Sequence, residues 1–251
     1  MYDMNQPSRS FGAFPSRPSV DVASYLRRVY LLFTGGIFFA IAGALAALYL
    51  GTPVVLDGGG VAIEVAPLVA FGMAHPWIML IVYIAAFFGA SSARRIPGVN
   101  VAALFGYTLI TGIFLAPTLF IAQLYASQGA TLSASPVRDA FLLTGLAFTG
   151  LSGYVLISRK DFSFLGASLN MGLWVILGAM VLGFFFHSAV LQLAIASVGV
   201  LLFSGYILYD TSRILHDRSE NDAVGAALRL FLDVVNLFLF LLRILSSSRQ
   251  R

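Results

Sequence analysis

Seven stretches of the chain, roughly 29–50, 68–90, 99–126, 137–157, 165–186, 189–209 and 226–245, are almost wholly apolar, and the polar residues crowd into the gaps between them. None alternates apolar with polar at a two-residue period, so they read as helices and not as strands of an outer-membrane barrel. About 20 apolar residues cross the hydrocarbon of a bilayer. The pattern therefore predicts an all-α, polytopic membrane protein with seven transmembrane helices. His75-Pro76 inside the second run marks either its true start or a kink. The fifth and sixth runs are parted only by His187 and Ser188, which demands a tight hairpin. Residues 1–28 carry Pro7, Pro15 and Pro18 with several Ser and Arg. They lack a compact basic start and a cleavage site following an apolar core, and read as a disordered cytosolic arm. The transmembrane domain then covers 29–245, with 246–251 as a carboxyl-terminal tail.

Composition excludes the main rivals. Of 251 residues, 59% are hydrophobic and 10% charged, where a soluble domain carries about 25% charged. Lipid must solvate that apolar surface, so a large soluble catalytic domain is excluded. The net charge of +4 never gathers into a basic groove, which excludes a nucleic-acid reader. Cysteine is absent, removing disulfides, thiolate nucleophiles and Cys-ligated metal together. With the amino terminus inside, 11 of the 15 Lys and Arg fall on the cytoplasmic side, among them Arg27, Arg28, Arg94, Arg95, Arg159, Lys160 and Arg213. That asymmetry places the amino terminus in the cytoplasm. Seven spans put the carboxyl terminus outside, unless the last run re-enters without crossing. No clean internal repeat is visible, so a transporter built of inverted repeats gains no support.

Charge inside the apolar runs is the main chemical signal. Of eleven carboxylates, only Asp210 and Asp233 lie within or at the end of long apolar runs. A carboxylate there costs on the order of 3 kcal/mol on insertion scales and needs a reason. Asp210 alone reads equally as a side chain snorkelling to the interface. The pair is more informative. Asp210 precedes the loop centre near Asn221 by eleven residues and Asp233 follows it by twelve, so an antiparallel hairpin sets the two at similar depth. Arg229, Asp233, Asn236 and Arg243, spaced 4, 3 and 7 apart, form one polar stripe on the last helix. In lipid such a stripe points into the bundle, either for function or as interhelical glue.

Two carboxylates a few ångströms apart in low dielectric cannot both ionise cheaply, so such a pair holds a proton between them. Losing it creates repulsion that parts the helices or admits a cation. Calcium takes 6–8 oxygens and two Asp supply at most four, which makes Asp210 and Asp233 a weak, partly hydrated metal site suited to permeation. The reading is a pH-controlled switch, closed when protonated. Arg94 and Arg95, at the cytosolic end of the second helix, are latch candidates for the closed form, and equally plain positive-inside anchors.

YILYDTSRI at 206–214, LRLFLDVVNLFLFLLRIL at 228–245 and GYTLITGIFLAP at 106–117 together resemble the Bax inhibitor-1 family (transmembrane Bax inhibitor motif proteins), in particular its bacterial members. The resemblance covers most of residues 25–245. It implies a seven-helix fold with the seventh helix enclosed by the other six, in a bacterial inner membrane. It also implies a calcium leak gated by a di-aspartyl proton sensor with an arginine latch. By position, Asp210 and Asp233 would be the sensor and Arg94, ahead of Arg95, the latch. Bacterial relatives are further implied to meet a membrane AAA protease, the basis of an alternative reading as a non-conducting partner of that protease. Two features depart from the pattern. The second helix carries no acidic residue, and the tail and the DGGG stretch at 57–60 look lineage-specific.

Other motifs read as decoys. Gly150-Leu151-Ser152-Gly153 mimics the G-x-S-G of rhomboid proteases, but His187 sits at the far end of the bundle from Ser152. His75, His187 and His216 have no metal-ligand spacing. Asp217, Glu220 and Asp222 lack the ligand pattern of a calcium loop and read as solvated. The expectation is a non-enzymatic ion conductor with no tightly bound cofactor, whose partners are lipid, protons and calcium.

Overall fold

Proline punctuates the helices of this chain. Pro67, Pro76 and Pro136 each stand at the first helical position, where the missing N–H costs nothing. The computed structural model describes residues 22–57, 62–127, 135–186, 188–216 and 222–248. In order they form α1 (Val22–Tyr49), β1 (Val54–Asp57), β2 (Ala62–Val65), α2 (Pro67–Ala74), α3 (Pro76–Ala93), α4 (Asn100–Ser127), α5 (Pro136–Ser158), α6 (Gly166–Phe185), α7 (Ala189–His216) and α8 (Ala223–Ser248). A short 3-10 turn, Ser163–Leu165, leads into α6. Among the described residues, six segments are long and apolar enough to cross a membrane: α1, α3, α4, α5, the Ser163–Gly183 stretch that takes in most of α6, and α7. The chain is a multi-pass helical membrane protein.

Three expectations need correction. Residues 22–28, read as the end of a disordered arm, are the opening turns of α1, which begins at Val22. At 28 residues α1 is about 42 Å long and outreaches the roughly 30 Å hydrocarbon, so its first, polar turns stand beyond the apolar run; residues 1–21 lie outside the described part. The second run is two helices. Pro76 ends α2 at His75, whose φ of −129° and ψ of 59° are not helical, and the 8-residue α2 is too short to cross. Nor is the fold wholly helical: β1 and β2 pair antiparallel with Val54 opposite Val65 and Asp57 opposite Ala62. The expected seventh span, α8, is not among the six segments.

Packing explains the arrangement. The most extensive helix contact is α1 on α4, and glycine makes it possible. A Cβ on Gly43 would run into the carbonyl oxygen of Leu109, and one on Gly112 into that of Ala40. The two backbones touch through each other's glycine, as small residues allow in membrane helices. Helix α8 packs against α1, α4, α5 and α7, and Phe231, Leu230 and Leu237 on it are almost fully buried. By contrast α6 lies against α7 and turns Trp174 and Met171, both 71% exposed, outward to lipid.

Polar contacts define one end of the bundle. Arg94 beyond α3 meets Asp222 before α8, Asn100 of α4 donates to the Arg94 carbonyl oxygen at 3.4 Å, and Tyr25 of α1 donates to the Asp222 carbonyl oxygen at 3.5 Å. Phe162 N, in the turn between α5 and α6, donates to Ser212 Oγ of α7 at 2.8 Å. The starts of α1, α4, α6 and α8 and the ends of α3, α5 and α7 therefore share this end.

Candidate functional site

Asp210 on α7 and Asp233 on α8 are each 5% exposed. Their carboxyl groups lie close enough to interact directly. The helix phases thus agree: the two groups face each other inside the bundle. On the far side of Asp210, Arg229 Nε stands 3.6 Å from Oδ1. Arg229 precedes Asp233 by one helical turn, so α8 presents cation and acid on one face. Arg213 lies near enough to Asp210, and Tyr206 near enough to both acids, for their charges to interact. Asp233 Oδ2 is buried with no hydrogen-bond partner among the described residues.

The remaining polar-stripe residues separate from this cluster. Asn236 turns back and donates Nδ2 to the Leu232 carbonyl oxygen at 2.8 Å, and Arg243 is exposed. The latch candidates sit higher. Arg95 is exposed, and Arg94 Nε is 3.5 Å from Asp222 Oδ2. The arginine that the structure brings to the acid pair is Arg229. Its signal was the four-residue spacing to Asp233; its reach across to α7 required the packed helices.

Asp222 is not the solvated loop acid expected from its neighbours. Its side chain is 14% exposed, and Oδ1 accepts from Gly225 N at 2.7 Å, the bond of a helix N-cap. A Cβ at Gly225 would collide with the same carboxylate, so glycine there leaves room for the cap. One acid thus starts α8 and clasps the end of α3. Asp222→Ala should cost about 1–2 kcal/mol through the cap alone, read as a lower melting temperature of the detergent-solubilised protein; an unchanged melt would remove the clasp from the account. Asp217 and Glu220 lie outside the described residues.

The decoys resolve locally. Ser152 Oγ lies 3.2 Å from Thr211 Oγ1, not beside a histidine. The His75 ring packs on Phe71 with centroids 5.0 Å apart, and both ring nitrogens of His216 approach carbonyl oxygens, of Ser212 at 2.9 Å and Arg159 at 3.2 Å. His187 is outside the described residues. Among those described, no three His, Cys, Asp or Glu side chains are grouped to hold a metal. The same end carries Asp161, whose carboxyl is held below the usual carboxylate range, chiefly by the backbone N–H of Ser163, which donates at 2.8 Å.

Comparison with known proteins finds relatives of this chain. The family described as inhibitor of apoptosis-promoting Bax1 matches residues 22–250. An uncharacterized protein of Campylobacter jejuni is 34% identical over 238 residues, 95% of this chain and 94% of its own. Protein lifeguard 4 of Mus musculus is 35% identical over 164 residues, 65% of each chain. The Golgi anti-apoptotic protein of Vaccinia virus is 36% identical over 152 residues, 61% of this chain and 60% of its own.

Proposed function

The chain belongs to the Bax inhibitor-1 family, and on that premise we propose that it is a proton-regulated, calcium-permeable leak channel rather than an enzyme. In this reading seven segments cross a bacterial inner membrane with the amino terminus in the cytoplasm, and α8 is the enclosed seventh. Asp210 and Asp233 are the sensor. The observation that carries the reading is the contact of these two buried carboxyls beside the Arg229 guanidinium.

With one proton between them, the two acids and Arg229 sum to no net charge, the form that low dielectric favours. Loss of that proton as pH rises leaves one negative charge and two mutually repelling carboxylates. A cation entering from the Lys- and Arg-bearing end then has two acids to bind, but at most four of the six to eight oxygens calcium takes. It keeps part of its water, holds weakly and moves on. The site is closed at low pH and conducts at high pH.

Calcium uptake into proteoliposomes, measured against pH, tests this. The wild type should show flux that climbs with pH. Asp210→Asn with Asp233→Asn should flatten the profile, since neither amide titrates. A double variant whose flux and pH profile match the wild type would overturn the sensor assignment.

A further inference from the structure

The last turn of α7 meets the turn after α5 at the Lys- and Arg-bearing end, and one histidine there faces an acceptor on each side. His216 Nδ1 lies 2.9 Å from the Ser212 carbonyl oxygen, one helical turn back on α7. Its Nε2 lies 3.2 Å from the Arg159 carbonyl oxygen, at the close of α5. Carbonyl oxygens only accept, and a neutral imidazole has a single N–H to give. The neutral ring therefore bonds one carbonyl and turns a bare lone pair on the other. The imidazolium donates to both.

The turn is folded over this point. Arg159 ends α5 in the left-handed conformation, with φ of 52°, and among the described residues no other non-glycine has a positive φ. Helices usually close that way on glycine, because a side chain makes the conformation costly. Phe162 N donates to Ser212 Oγ at 2.8 Å, and Ser212 is fully buried. The Ser212 hydroxyl has Asp161 Oδ1 at 3.3 Å and the Lys160 carbonyl oxygen at 3.5 Å as its acceptors. Residues 159–162 thus wrap Ser212 and His216, which stand one turn apart on the same face of α7. The charged residues around the ring are Asp161, Arg159 and Lys160 in the turn and Arg213 on α7; residues 217–221 lie outside the described part. Asp161, held below the usual carboxylate range chiefly by the Ser163 N–H, stays ionised between pH 5 and 8, where histidine changes charge.

We propose that His216 is a pH-operated tether, which as the imidazolium pins the turn after α5 to the end of α7 and as the neutral ring gives up one of its two holds. The device is separate from Asp210 and Asp233 and stands whether or not those acids gate a flux. Only the Nε2 contact joins two elements, since the Nδ1 contact lies within α7. A neutral ring keeps that cross-link solely by abandoning Ser212, and the bond it keeps is no longer charge-assisted. The tether is therefore complete at low pH and loosens as pH rises. From the turn the chain runs through Ser163–Leu165 into α6, which packs on α7. What the tether fixes is how α6 enters the bundle.

Hydrogen exchange of the detergent-solubilised full chain tests this, with rates corrected for the intrinsic effect of pH. The reporter is the Phe162 amide, which Ser212 holds inside the turn. From pH 5 to pH 8 its protection should fall roughly threefold to tenfold in the wild type. His216→Gln, whose side chain does not titrate, should give a flat profile. Asp210→Asn with Asp233→Asn should keep the fall, which sets the tether apart from the acid pair. A flat wild-type profile, or a fall that persists in His216→Gln, would overturn the proposal. Loss of the fall in the double Asp variant would do the same and hand the effect to the acids. Imidazole 15N spectra give a second reading that needs no variant to be protected. They should show the ring that Gln removes protonated on both nitrogens where protection is high, and a ring already neutral at pH 5 would sink the tether.

Discussion

Replacing Arg229 with glutamine moves the half-maximal pH of calcium flux upward by about one to three units. The guanidinium stands 3.6 Å from Asp210 and favours the ionised acid. Without it, the pair keeps its proton to a higher pH, and conduction that requires proton loss starts later. A second effect has the opposite sign on flux. Above the new midpoint no tethered cation competes for the acids, so the calcium concentration that half-saturates uptake falls. A lower midpoint, or none of either change in a monodisperse sample, would separate Arg229 from gating. Arg229→Lys keeps the charge but not the planar fork and belongs between wild type and glutamine. The guanidinium beside Asp210 is carried by α8 itself, one turn from Asp233.

Valine at Gly43 together with valine at Gly112 should abolish the folded protein. The α1–α4 contact is the most extensive in the bundle, and each glycine faces a carbonyl oxygen of the other helix. Overpacking a core by a methylene costs about 1–3 kcal/mol when side chains can shift. Here the obstacle is backbone, which shifts only by moving a whole helix. Valine at Gly145 or Gly178, where an added Cβ meets nothing within 4 Å, should leave yield and monodispersity intact. Size-exclusion profiles of the solubilised protein compare the two sets directly. If the double variant eluted like the controls, the close approach would not be what holds α1 to α4.

Much of the architecture was legible because lipid enforces length: an apolar run of some 20 residues has few other uses. The facing of Asp210 and Asp233 was legible for a related reason. Charge is so costly in these runs that its rare appearances carry information, and loop symmetry sets their depth. What escaped was set by tertiary geometry or by element boundaries. The apolar pattern starts the last helix at 226, whereas it begins at Ala223; three residues are enough to turn the N-cap Asp222 into an apparent loop acid. The polar opening turns of α1 resemble a tail because the helix outgrows the hydrocarbon. The β1–β2 hairpin is built of two 4-residue strands, shorter than any pattern that periodicity resolves. Which arginine meets Asp210 depends on helix rotation and the reach of a long side chain.

The position of α8 in the chain also bears on biogenesis. Every helix it packs against, α1, α4, α5 and α7, leaves the ribosome before it does. Until residues 223–248 have been synthesised, Asp210 has neither its acid neighbour nor its guanidinium, and the faces of α1, α4, α5 and α7 that meet α8 have no partner there. Completion is therefore a late, all-or-none event in translation, and a chain arrested ahead of α8 exposes to the cell's quality control a set of inward faces with nothing to close on.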